Sequence, residues 1–155
     1  VALTAHGIEA DLPAGLEGRI YVRPSSNGAV SRPVAQFATF PIPEGIGDFG
    51  GNTNIRLGPD DMFAVLFEYG PESVGTALFS LVGVPRPLDP TDFVPHVMAP
   101  GLGGSLGIQR FFTESGRPFT LYARLGSIPQ RNSLVKRLNR LLSTVDIHPN
   151  ASSAT

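Results

Sequence analysis

Five prolines stand at positions 85, 87, 90, 95 and 100, and they limit what this chain can fold into more than any other feature. Each removes a backbone donor and fixes φ, so residues 84–101 support neither a long helix nor a central strand. The segment is expected to wrap a surface. The same restriction extends over the whole chain, where 18 glycines and 15 prolines fall among 155 residues. Short strands and many turns follow from that density.

Between these breaks, the apolar residues show the period of strands. Ile8, Ala10 and Leu12 alternate with Glu9 and Asp11, and this predicts a half-buried strand over 8–12 that ends at Pro13-Ala14-Gly15. A second strand fits 19–23, before a turn-rich stretch over 24–32. Residues 34–40 are apolar on both parities, the pattern of a strand covered on two faces. A glycine-rich loop is expected over 43–54, and a short edge strand over 54–57. The run Met62-Phe63-Ala64-Val65-Leu66-Phe67-Glu68-Tyr69 is the strongest strand signal and is expected at the sheet centre. Residues 74–84 read either as a strand or as a short buried helix, since Gly75 and Gly83 punctuate them.

Residues 106–113 and 118–125 form two strand-like runs joined by Glu114-Ser115-Gly116-Arg117, a hairpin signal. Leu134, Val135, Leu138, Leu141, Leu142 and Val145 then follow the spacing of one helical face, with Asn132 or Ser133 placed to cap it. The fold class expected is α+β: an antiparallel sheet of about six strands with a C-terminal amphipathic helix packed on one face. One domain over 6–148 and a flexible tail over 149–155 complete the organisation. Leu, Ile, Val and Phe make up 46 of the 155 residues, enough apolar side chain for a core of that size.

Charge says little about partners. Twelve basic and 13 acidic side chains leave a formal net charge of −1, so no global field draws nucleic acid or an anionic membrane. Charged residues are 16% of the chain, and so sparse a surface favours association with a protein partner or with itself. Without cysteine there is no disulfide, thiolate metal site or cysteine nucleophile. No apolar run has the length of a transmembrane helix. The sequence begins at Val1 without a methionine, as either the mature form of an exported protein or a trimmed chain does.

Two segments carry the resemblance to known proteins. Gly7-Ile8-Glu9-Ala10-Asp11-Leu12-Pro13-Ala14-Gly15-Leu16-Glu17 resembles the opening of small exported domains of GC-rich Gram-positive bacteria, with Leu16 in place of a tryptophan. Phe111-Phe112-Thr113, Gly116-Arg117-Pro118-Phe119-Thr120-Leu121-Tyr122 and the closing helix are similar to the same group. The order of elements is loosely similar to the PsbP/Mog1-like sandwiches, which are accessory and binding domains. The resemblance implies an extracytoplasmic or secreted location and a non-catalytic role.

Several motifs invite a chemical reading. Gly45-Ile46-Gly47-Asp48-Phe49-Gly50 matches G-x-G-x-x-G, but Gly51-Asn52-Thr53-Asn54 after it does not open a helix, so a surface loop is expected and no cofactor. Gly103-Gly104-Ser105-Leu106-Gly107 matches G-x-S-x-G, and Asp146 and His148 follow it in hydrolase order. A strand-like run follows Ser105 where a helix is required, so a glycine-rich turn is expected and no catalytic residue. His6, His96 and His148 lack the spacing that places two imidazoles on one metal, although His6 and His148 meet if the termini are adjacent. The binding residues expected are Arg131, Lys136, Arg137 and Arg140, which make the outer face of the helix basic. The function expected is a non-catalytic exported interaction or accessory domain that docks on a larger protein assembly or cell-envelope component. The alternative is a small-ligand-binding or hydrolase-like domain built on the loops near Gly45 and Ser105.

Overall fold

The computed structural model describes residues 1–23, 32–50, 56–95 and 105–150. In chain order these form β1 (Ala2–Ala5), β2 (Ile8–Asp11), β3 (Glu17–Val22), β4 (Pro33–Ala38), β5 (Met62–Glu68), β6 (Leu106–Glu114), β7 (Arg117–Leu125), α1 (Arg131–Leu142) and β8 (Asp146–Ile147). Single 3-10 turns lie at Pro71–Ser73, Ala77–Phe79 and Pro90–Asp92. The molecule is α+β, with a five-stranded antiparallel sheet in the order β3-β4-β5-β7-β6 and a three-stranded antiparallel sheet in the order β1-β2-β8. As the apolar run predicts, β5 is the central strand of the larger sheet.

The larger sheet is buried on both faces. On one side Phe37, Leu66, Ile108, Phe112, Phe119 and Leu121 meet Leu134, Val135, Leu138, Leu141 and Leu142 of α1, along with Ile8, Ala10 and Ile147 of the small sheet. On the other side Val34, Phe63, Val65 and Tyr122 lie under Ile46 and Leu57, with Phe40, Ile42 and Phe49 packed against them. This explains why β4 is buried at every position. The loop over 40–50 acts as the second cover, because Gln36 on the sheet donates its amide to the carbonyls of Gly47 and Asp48 at 2.8 and 3.0 Å.

The described part of the proline-bearing segment, residues 84–95, is held against α1, and positions 96–101 lie outside the described residues. Asn139 accepts the Leu88 N–H at 2.7 Å and donates to the Leu88 carbonyl at 2.9 Å, which seats Leu88 and Phe93 in the core. Arg86 donates from Nη1 to the carbonyls of Leu142 and Val145, both at 2.6 Å, and so ties the segment to the last residue of the helix and to the turn after it.

The larger and smaller sheets meet at two tight hairpins. His6-Gly7 joins β1 to β2 with φ of 53° and 78°, and Ser115-Gly116 joins β6 to β7 with φ of 53° and 74°. Positive φ at both central residues marks the turn whose twist matches paired strands. The hairpin link is therefore two residues, with Glu114 and Arg117 already in the ladder.

Other expectations are corrected. Among the described residues there are eight strands in two sheets, where one sheet of about six was expected: β1 buries none of its four residues and β8 has only two, and their pairing with β2 creates them. Residues 74–84 form neither a strand nor a buried helix but turns around a 3-10 element, with Val82 bridging to Thr113. Arg56 and Leu57 are in no strand, and positions 54–55 lie outside the described residues. The helix begins at Arg131 with Gln130 as its cap residue, ahead of Asn132 and Ser133, and no side chain caps it. The chain is already turning there, since Ser127 Oγ accepts the Gln130 N–H at 3.4 Å and the Ile128 carbonyl accepts the Arg131 N–H at 3.0 Å. The turn-rich stretch over 24–31 and most of the expected tail, residues 151–155, are outside the described residues.

Candidate functional site: an apolar ridge beside the sheet edge

The four basic residues expected to bind occupy different surroundings. Lys136 and Arg140 are exposed, whereas Arg131 and Arg137 are half-buried. Arg137 points Nη2 at the Gly15 carbonyl, 3.5 Å away, so part of its charge is spent tying the helix to the turn before β3. The polar side of α1 also carries Asn139, which is occupied by the proline-rich segment. The basic face is therefore shared with internal contacts.

The hydrolase arrangement does not assemble. β6 begins directly after Ser105, whose Oγ donates to the Gly126 carbonyl at 3.3 Å. His148 lies at the other end of that strand, beside Ser115, whose Oγ donates to the Ile147 carbonyl at 2.8 Å. Nine residues of β6 separate the two ends, about 30 Å at the rise of a strand. The imidazole of His148 instead meets Glu9 at 2.6 Å. The two ends of the domain are adjacent, since the His148 N–H donates to the Gly7 carbonyl at 2.8 Å. His96, Gly101, Gly103 and Gly104 lie outside the described residues. Among the described residues no three His, Asp or Glu side chains gather as metal ligands.

The G-x-G-x-x-G run is a loop laid on the sheet. Gly45, Gly47 and Gly50 all have φ between 75° and 83°. Its carbonyls accept from Gln36, and Asp48 accepts a hydrogen bond from the Tyr21 hydroxyl and lies 3.6 Å from Arg23. Phe49 stacks on Phe67 with ring centroids 5.1 Å apart. Residues 51–54, which follow it, lie outside the described residues. Burial, with the Asp48 hydrogen bond and charge added, raises the Tyr21 pKa well above the ordinary tyrosine value. The motif's contacts are those of a cover held on a core.

The surface that stands out is one the sequence reading passed over. Residues 73–85 contain no charged side chain. Within them Val74, Leu78, Leu81 and Val82 are 40%, 59%, 48% and 83% exposed. This ridge is held firmly. Phe79 is buried, and its ring meets Tyr69 at 5.3 Å and Phe111 at 5.5 Å. Thr113 of β6 donates from Oγ1 to the Phe79 carbonyl at 2.8 Å and from N–H to the Leu81 carbonyl at 2.8 Å, and accepts from the Gly83 N–H at 2.9 Å.

The same bonds close the edge of the sheet. Antiparallel alternation turns the main-chain groups of Gly107, Gln109, Phe111 and Thr113 outward from β6. Val94 takes both groups of Gly107, at 2.8 and 2.9 Å, and Leu81 with Gly83 takes those of Thr113. Arg110 donates to the Gln109 carbonyl at 3.0 Å and reaches Asp92 at 3.5 Å across the remaining gap. An edge blunted in this way resists open-ended strand pairing. What remains on this side is exposed aliphatic side chain from Val74, Leu78, Leu81 and Val82. The signal was in the sequence, as a charge-free stretch of thirteen residues with Leu78, Leu81 and Val82 close together. The expectation of a buried element over 74–84 hid it. No family model, curated protein or solved structure matches the chain.

Proposed function

We propose that this chain is a non-catalytic, exported accessory domain that docks on a larger assembly or a cell-envelope component, and that the ridge over 73–85 is the docking surface. The observation that supports the reading is the exposure of Leu78, Leu81 and Val82 on a segment anchored by Phe79 and three bonds to Thr113. Exposed aliphatic side chains on a mobile loop would have to be ordered on binding, at an entropic cost; here the fold has already ordered the main chain that carries them. The half-buried rings of Tyr69 and Phe111 lie behind the ridge and extend the same surface with residue types favoured at interface centres. The basic residues Lys136 and Arg140 remain a solvated helix face in this reading.

Incubating the pure domain with an envelope extract and cross-linking tests it. A stoichiometric adduct that passes through the ridge is expected. A monomer that retains nothing from the extract, neither protein nor lipid, would count against the proposal.

A further inference from the structure

We propose that β3, the open edge of the larger sheet, pairs with β3 of a second copy of this chain in one antiparallel register, with Ile20 opposite the partner's Ile20. This edge is separate from the ridge, so the inference stands apart from the docking role given to residues 73–85.

The main chain shows the opening. The Thr39 N–H donates to the Met62 carbonyl of β5 at 3.2 Å, so by alternation Val34, Gln36 and Ala38 of β4 turn their main-chain groups toward β3. Their register partners are Tyr21, Arg19 and Glu17, which leaves the N–H and C=O of Gly18, Ile20 and Val22 pointing away from the sheet. Among the described residues none bonds these groups. A Cβ at Gly18 would come within 3.1 Å of Leu12, which places the end of β2 over a face of β3, where side chains point, and not along its edge. The opposite edge is different, since Val94, Leu81 and Gly83 close β6. One open edge and one closed edge limit strand pairing to a two-fold dimer.

Charge selects the register. Outward groups meet only where Gly18, Ile20 and Val22 face the same residues of the partner. With Ile20 opposite the partner's Ile20, Gly18 faces the partner's Val22, Arg19 faces the partner's Tyr21 and Glu17 faces the partner's Arg23. Every opposed charge then meets the opposite sign or an aromatic ring, and about six main-chain bonds cross the pair. A slip by one pair in either direction sets Arg19 opposite the partner's Arg19 or the partner's Arg23, and like charges placed so are destabilising. Glu17 is exposed, and Arg23, the residue after β3, is held on the same face of the sheet by Asp48 at 3.6 Å with 43% of its side chain exposed. The register also sets Val22, 38% exposed, against the partner's Gly18.

Sedimentation equilibrium of the pure domain over a range of concentrations tests the proposal. A reversible monomer–dimer equilibrium is expected, with no larger species. Val22→Pro removes an outward donor and leaves the ladder to β4 intact, so it should melt near the parent and weaken the dimer by about tenfold or more. Glu17→Arg and Arg23→Glu should each weaken it about tenfold, since each sets like charges opposite one another. An equal mixture of those two variants should recover the dimer, because every opposed pair in the heterodimer has opposite signs. A parent that stays monomeric, species that grow past the dimer, a Val22→Pro variant that dimerises as the parent does, or a mixture no tighter than its two components would overturn the inference.

Discussion

Arg117 and Glu68 form a buried, two-pronged ion pair that joins the central strand to the point where the chain termini meet. Nε and Nη2 of Arg117 donate to the two carboxylate oxygens at 3.1 and 2.7 Å, and Nη1 donates to the His148 carbonyl at 2.9 Å. The two side chains are 1% and 4% exposed. Gly7 closes over the guanidinium so tightly that a Cβ there would lie 2.6 Å from Nη1, in a backbone conformation at φ 78° that already favours glycine.

Arg117→Met leaves the Glu68 carboxylate buried without its partner and should cost about 3–5 kcal/mol. The double variant Arg117→Met/Glu68→Leu should cost less than the sum of the two single changes, because it removes both charges together. Chemical denaturation of the four proteins in the cycle checks this, and additive losses would show that the pair does not act as a unit.

The two faces of α1 should respond differently. Leu138 is fully buried, and Leu138→Ala should cost about 2–5 kcal/mol, a large part of a domain's stability. Arg137→Glu/Arg140→Glu should stay within about 1 kcal/mol, since Arg140 is an exposed charge and half-buried Arg137 makes only a long contact with the Gly15 carbonyl. Thermal melts of both variants measure the contrast.

All three tyrosines of the chain, Tyr21, Tyr69 and Tyr122, have pKa values raised, in each case first by burial. A pKa higher in the folded state than in the unfolded one means stability that is complete below pH 10 and falls as pH rises beyond it. Titration followed by tyrosinate absorbance should show the folded protein less than half ionised at pH 10, where the denatured chain is about half ionised. Tyr21→Phe should soften the alkaline loss of stability, because it removes the phenol that burial and Asp48 hold neutral.

Asn139 bonds both main-chain groups of Leu88, so Asn139→Ala should free the segment between Val84 and Phe93 at a cost of about 1–3 kcal/mol. Limited proteolysis should then cut first within that segment. Cleavage elsewhere at the parent rate would show that Leu88 and Phe93 hold it without the helix.

The longer elements were legible because burial imposes a period. β5 is apolar on both parities and lies at the sheet centre; α1 repeats its leucines every three or four residues and buries them. β1 and β8 were not legible. β1 exists through its hairpin with β2, and β8 through pairing with β2 from the far end of the chain, where a two-residue strand at Asp146–Ile147 has no period of its own. The cover over the second sheet face was half legible: the glycines of 45–50 announced a loop, but the amide of Gln36 that pins it is a long-range contact. At the site, charge pattern and burial pattern gave different answers. The basic residues of α1 drew attention as a cluster, whereas Leu78, Leu81 and Val82 looked like core and only the third dimension shows them facing outward.

Retention on an envelope fraction, compared between two variants of equal stability, tests the central claim most directly. Leu78→Asp/Val82→Asp should lose retention, while Arg137→Glu/Arg140→Glu should keep it at low salt and at high salt. The opposite pattern, with the ridge variant retained and the charge-reversed helix released, would contradict the account and return the docking surface to the basic face of α1.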